Sequence, residues 1–167
     1  MVDLNLGCGD HYAPGWVNVD LPDTPNPHDV DCDLRGPLPW QPSTVNRLYL
    51  GHVLEHLTLV DAGDLLARLR PLMVPAGQVM VVGPDCVRAQ AMVRAGELDT
   101  HALDLVRHGG GRWVGDEHRW ECEPGTIRSL LAGAGWSQVT EVPIVDVPDV
   151  WPVVSRIGWQ CAVGAVA

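Results

Sequence analysis

Apolar residues along the chain gather into seven short runs, at 2–6, 16–21, 30–34, 46–50, 78–82, 138–142 and 159–166, each with the length and character of a strand. The first five each end near a glycine, an aspartate or both. Between the fourth and fifth runs, Leu65, Leu66, Leu69 and Leu72 recur at near-helical spacing, and the pattern stops at Arg70-Pro71 and the turn Pro75-Ala76-Gly77. Strand, helix and strand in that order imply a parallel crossover. Near-continuous apolar strands separated by helices or long loops predict a sheet covered on both faces, with ligands bound at the carboxyl ends of the strands. Residues 21–41 are rich in Pro and Asp and predict surface loop around a short third strand. Residues 85–97 and 98–108 carry helical spacing and lead into Gly109-Gly110-Gly111, a flexible joint that suits a mobile lid. A last helix is expected over 124–134, with Pro124 near its first turn and Gly133 and Gly135 closing its end.

The first two runs carry the densest chemistry. Leu4-Asn5-Leu6 breaks into Gly7-Cys8-Gly9, where the missing Cβ atoms let the backbone turn sharply and approach a ligand closely. The next run, Trp16-Val17-Asn18-Val19, ends at Asp20, where a carboxylate can accept hydrogen bonds from both hydroxyls of a ribose. The pair points to a nucleoside-bearing cofactor. Cys8 lies in the loop with no basic neighbour to lower its pKa, so it is expected to be a small packing residue.

Composition narrows the options. At 167 residues and 46% hydrophobic content, a single domain over 1–167 is expected, with a helical insertion or lid at about 85–118. With 21 acids against 11 bases and no basic run, a phosphate backbone would be repelled, so no nucleic-acid partner is expected. The five cysteines are scattered without a C-x-x-C pair, which predicts neither a disulfide framework nor a structural zinc site. No signal peptide is visible and no apolar run approaches ~20 residues, so a soluble, cytoplasmic protein without membrane contact is expected.

Taken in order, several segments resemble the class I S-adenosylmethionine-dependent methyltransferases. LNLGCG at 4–9 looks like the first motif of that family, and Asp20-Leu21 falls at its ribose-binding acid. Asp33-Leu34 falls where an acid and the following amide meet the adenine edge, and YLGHVLEHL at 49–57 is similar to the end of the fourth strand and the turn beyond it. LARLRPLMVPAGQVMVVGPD at 66–85 looks like the helix-to-strand passage, with Pro75-Ala76-Gly77 in place of Pro-Gly-Gly, and HRWECEPGTIRSLLAGAGWSQV at 118–139 resembles the region before the sixth strand. The resemblance implies a Rossmann-like, three-layer α/β sandwich, mostly parallel with an antiparallel C-terminal strand. It implies S-adenosylmethionine as cofactor, held by Gly7, Cys8, Gly9, Asp20, Leu21, Asp33, Leu34, Gly51 and His52. His11 stands where a third glycine is common, and only six residues, 10–15, separate Gly9 from Trp16. The first linking helix must therefore be absent or a single turn. With the first strand expected from residue 2, the N-terminal helices that often cap the substrate site in that family are not expected, which would leave the site either open or completed by another subunit, as in a homodimer.

For methyl transfer the protein must align a nucleophile and let its proton leave. His56 and His118 are the candidate acceptor-side residues. His52, Glu55 and His56 fall at i, i+3 and i+4 and resemble the E-x-x-E-H metal cluster of ubiquinone-pathway and small-RNA 2′-O-methyltransferases, with His52 replacing the first glutamate. Helix capping by Glu55 and His56 is the preferred explanation, and no metal is expected; a further ligand such as His118 would have to come from afar. Trp113, Trp120, Trp136 and Trp151 either wall a flat acceptor or fill a core that has no Phe. The expectation is methyl transfer to an O, N or C nucleophile on a small-molecule acceptor. The alternatives are a non-catalytic binding or assembly module and an NAD-dependent oxidoreductase; the latter would need a G-x-G-x-x-G turn opening a true helix, which Ala13-Pro14 does not permit.

Overall fold

The computed structural model describes residues 1–111, 115–152 and 157–167. Strands β1 (Val2–Leu6), β2 (Val17–Asp20), β3 (Val30–Asp31), β4 (Val45–Gly51), β5 (Met73–Pro84), β6 (Ser137–Val142) and β7 (Gln160–Val166) form one sheet. Their order is β3-β2-β1-β4-β5-β7-β6. The first five run parallel, and β7 inserts antiparallel between β5 and β6. Strand order reverses beside β1, which pairs with β2 on one side and β4 on the other, and the crevice at such a reversal is where open α/β sheets bind ligands.

Side chains alternate across the sheet and sort into two interiors. Leu4, Leu6, Leu48, Leu50, Val79, Val81 and Val163 face α1 (Leu59–Leu69) and α4 (Pro124–Gly133), whose Leu65, Leu66, Leu69, Ile127 and Leu131 are fully buried against them. On the other face Tyr49, Met80, Val82 and Ala162 pack under Ile144, Val147 and Trp151 from the connection between β6 and β7. Among the described residues, that outer layer is this connection with one 3-10 turn, Ile144–Asp146. The insertion after β5 is a helix pair, α2 (Cys86–Ala95) and α3 (Thr100–His108), with a small interior of its own around Ala89, Leu103 and Val106.

Local chemistry sets the helix ends. The Thr58 hydroxyl caps α1 by accepting from the Asp61 amide, and the carboxylates of Asp85 and Asp99 do the same for α2 and α3. Pro124 occupies the first turn of α4. Pro75-Ala76-Gly77 is not the free turn its composition predicts. It is a bulged start to β5, with Ala76 at φ 61° and the register against β4 slipping between Val45 and Arg47.

Two connections of the parallel sheet are held without a helix. The short 10–15 linker forms no helix; it is held instead by two asparagines buried in the sheet, Asn5 and Asn18. The Asn18 oxygen accepts from the Asn5 side-chain amide (2.9 Å) and the Ala13 backbone N–H (2.7 Å), and its own amide lies 3.0–3.1 Å from the carbonyls of Ala13 and Trp16 and from Asp29. Asn5 also donates to the His11 carbonyl. On the opposite face no helix links β3 to β4, and Arg68 of α1 reaches across to donate to the carbonyls of Leu34 and Gly36 at 2.5 and 2.6 Å. Arg68→Ala should remove both charge-assisted bonds and lower unfolding stability by about 2 kcal/mol, read from urea denaturation. An unchanged midpoint would contradict the role assigned to it.

Candidate active site

The sheet delivers three strand ends to one crevice. At the first, Gly7 (φ 64°) and Gly9 (φ 54°) turn the chain out of β1 in the left-handed region that side chains disfavour. A Cβ on Gly7 would lie 2.7 Å from Cγ2 of Val53, so the β1 turn and the end of β4 are in direct contact. Above Gly9 the space is open. At the second, Asp20 ends β2: one carboxylate oxygen accepts from the Gly9 N–H (2.6 Å) and the other from the Leu21 N–H (2.8 Å). A carboxylate offers about four acceptor positions, so capacity remains for hydroxyl donors. The Cys8 thiol points back toward Asp20, and burial, followed by that charge, pushes its pKa up to about 11, which rules it out as a ready nucleophile.

At the third end, Gly51 carries no Cβ because the Tyr49 ring lies 2.6 Å from where one would sit. His52 then adopts φ 57°, an uncommon conformation for a residue with a side chain, and both of its ring nitrogens are engaged. Nδ1 lies 2.9 Å from Glu55 Oε1 and Nε2 lies 2.8 Å from the Gln160 amide nitrogen, so the tautomer donates to Glu55 and accepts from Gln160. The Trp159 ring stands edge-on to His52 at 6.2 Å.

Glu55 belongs to a single 3-10 turn, Leu54–His56, and is 1% exposed. Burial opposes its charge, yet the His52 hydrogen bond and the neighbouring His52 and His56 rings together hold the carboxyl below its usual range. Onto this turn folds the stretch that returns from the insertion. Arg119 N–H donates to the Glu55 carbonyl (2.7 Å), and Trp120 Nε1 donates to the carbonyls of Leu54 and Leu57. His118 is thereby set beside His56, with ring centroids 5.0 Å apart. Its Nδ1 donates to the Val106 carbonyl of α3 (2.9 Å), leaving Nε2 as the free nitrogen, and burial lowers its pKa so that it is neutral near pH 7.

The structure thus gathers Gly7, Cys8, Gly9, Asp20 and Leu21 at the ends of β1 and β2, and Gly51, His52, Glu55, His56 and His118 at and just beyond the end of β4. Asp33 and Leu34 follow β3 at the sheet edge: Arg35 pairs with both Asp33 oxygens on the surface, at 2.9 and 2.7 Å, and the Leu34 side chain is buried in the core. Both His52 nitrogens are engaged, with Glu55 and with Gln160, and it is His118 whose donor atom lies within 4.8 Å of those of Glu55 and His56. The described tryptophans of that set, Trp120, Trp136 and Trp151, do not build a wall. Trp136 is core with its Nε1 bonded to the Leu66 carbonyl, and Trp120 pins the 3-10 turn. Trp151 stacks with Trp16 and Arg47 on the outer face, while Trp113 lies outside the described residues. Gln160, Trp159, Asn5 and Asn18 are supporting residues that sequence patterning missed. At the expected joint, Gly109 packs against the Asp116 backbone.

No protein-family model matches the sequence, and no curated protein matches it either. Solved structures do match the fold. A SAM-dependent methyltransferase from Archaeoglobus fulgidus aligns over 90% of this chain and 75% of its own, with a TM-score of 0.59 and 12% identity. The methyltransferase SibL in its apo form aligns over 99% of this chain and 50% of its own, with a TM-score of 0.59 and 16% identity. Human N-acetylserotonin methyltransferase in complex with SAM aligns over 92% and 41%, with a TM-score of 0.54 and 16% identity. The chain spans half or less of the length of the last two. The fold is that of the class I S-adenosylmethionine-dependent methyltransferases.

Proposed function

Proceeding from that fold, we propose that the chain binds S-adenosylmethionine and transfers its methyl group to an O, N or C nucleophile on a small-molecule acceptor. The observation that carries this is the closure of the Gly7-Cys8-Gly9 turn onto Asp20, with open space over Gly9 and the end of β4 alongside. The residues present suit the cofactor. The glycine turn offers backbone approach to its amino acid part, Asp20 keeps acceptor capacity for ribose hydroxyls, and Gly51-His52 forms the floor beside Gly7. When bound, S-adenosylmethionine supplies a methyl group on an electrophilic sulfonium.

The chain's own residues then have a limited task. Backbone and Asp20 fix the cofactor's position, and alignment accounts for most of the rate gain in such a displacement. His118, neutral with Nε2 unprotonated, is the side chain fitted to accept a proton from an acceptor hydroxyl or amine, with His56 beside it. The acidic surface and five buried free thiols suit a small acceptor and a reducing cytoplasm. A nicotinamide cofactor is disfavoured because the 10–15 linker gives no helix N-terminus to receive a pyrophosphate. The test is S-adenosylhomocysteine release from S-adenosylmethionine in the presence of pooled phenols, amines and enolisable carbon acids. At least one pool should give turnover that disappears in Asp20→Ala. Release no faster than without acceptor, across all pools, would contradict a small-molecule methyltransferase.

A further inference from the structure

Beside the cofactor cradle, the 3-10 turn after β4 and the return from the insertion bring Glu55, His56 and His118 together. One ligand atom from each of the three lies within 4.8 Å of the others. We infer that Glu55, His56 and His118 form a binding site for one divalent transition-metal ion, of which zinc is the type.

Three observations converge on it. First, no hydrogen bond or ion pair joins Glu55 to either histidine, although their donor atoms converge; the carboxylate is bonded through Oε1 to His52 instead. Three electron-pair donors facing one point without bonding one another are spaced for an atom between them. Second, Nδ1 of His56 is buried and has no hydrogen-bond partner, an arrangement that buried polar atoms rarely tolerate. Third, Nδ1 of His118 is fixed by the Val106 carbonyl and Oε1 of Glu55 by His52, which leaves Nε2 and Oε2 as the donor atoms for an ion. Partners of this kind orient metal ligands and select their tautomer. Two imidazoles and one carboxylate suit zinc or a neighbouring first-row ion better than magnesium, which prefers oxygen donors and keeps its waters. Bonds of about 2.0–2.2 Å put tetrahedral donors roughly 3.4 Å apart, so side-chain shifts of about an ångström would complete the shell. Three protein ligands leave a fourth position for water or for an oxygen of the acceptor, and an ion there would take Nε2 of His118, so that His118 serves as a proton acceptor only in the metal-free chain.

The site also has a structural consequence. Its ligands come from the turn after β4 and from the segment returning from α3, so a bound ion would staple the insertion to the catalytic edge of the sheet.

The test uses the tag-free full chain, stripped with chelator and titrated calorimetrically with zinc, with cobalt(II) as an optical probe. One ion per chain should bind with micromolar or tighter affinity, cobalt should give visible ligand-field absorption, and zinc should raise the melting temperature. His118→Ala and His56→Ala should each weaken binding by about tenfold or more. Asp20→Ala should keep the metal while losing S-adenosylhomocysteine, which separates this inference from the cofactor assignment. Absence of saturable zinc binding by folded wild-type protein would overturn the site, as would binding unchanged in His118→Ala; should the alanine variants not fold, the wild-type cobalt spectrum decides alone.

Discussion

Asn18→Ala should lower the unfolding free energy by about 4 kcal/mol, a large share of what holds a domain of this size together. The side chain is fully buried and serves both of its polar ends at once. Removing it strands the Ala13 N–H (2.7 Å) and the Ala13 and Trp16 carbonyls, and takes away one of two acceptors of the Asn5 amide. Buried groups left without partners cost about 1–3 kcal/mol each, and the two hydrogens of the Asn18 amide cannot satisfy all three nearby acceptors fully, which holds the total near the lower end of the sum. Asn5→Ala strands the His11 carbonyl but leaves the Asn18 oxygen its bond from the Ala13 N–H, so it should cost less. Urea unfolding followed by circular dichroism measures both, and a loss below about 1 kcal/mol for Asn18→Ala would mean that water replaces the network.

The second large effect concerns the cofactor. Asp20→Ala should weaken S-adenosylhomocysteine binding by roughly a hundredfold, equivalent to about 3 kcal/mol for hydrogen bonds from ribose hydroxyls to a charged acceptor. The same carboxylate holds the Gly9 and Leu21 N–H groups, so its removal also loosens the turn that cradles the amino acid part. Asp33→Ala should behave differently. Its carboxylate is committed to the exposed Arg35, and losing a surface pair of that kind should change affinity less than about threefold. Equal losses in the two variants would show that Asp33 exchanges Arg35 for the adenine.

Much of the sheet could be read from the sequence because its strands are short apolar runs ended by Gly or Asp, and the loss of the first linking helix followed from counting six residues between Gly9 and Trp16. What fills that gap could not. In Leu4-Asn5-Leu6 and Val17-Asn18-Val19 the asparagines alternate with apolar residues as solvent-facing positions do, yet they face a loop that closes over them. The bulge in β5 was hidden because Pro75-Ala76-Gly77 has the composition of a turn. Asp33 had its competitor in view two residues away, but only geometry shows that Arg35 takes both oxygens.

The candidate site divides along the same line. Gly7, Gly9 and Asp20 are close in sequence and carry a local signature. His118 meets His56 from 62 positions away, and Gln160 meets His52 from 108, so no local pattern could pair them. His52, Glu55 and His56 share a spacing that suggests one shared task. Instead His52 keeps its bond to Glu55 and takes a second from Gln160, while His56 turns to His118.

The most direct measurement is isothermal titration of the wild-type chain with S-adenosylhomocysteine and, separately, with NADH. S-adenosylhomocysteine should bind saturably, one to one, at micromolar concentration, and NADH should not bind. Absence of S-adenosylhomocysteine binding by folded protein would contradict it and leave a non-catalytic module on a methyltransferase fold, and NADH binding in its place would return the glycine turn to oxidoreductase chemistry.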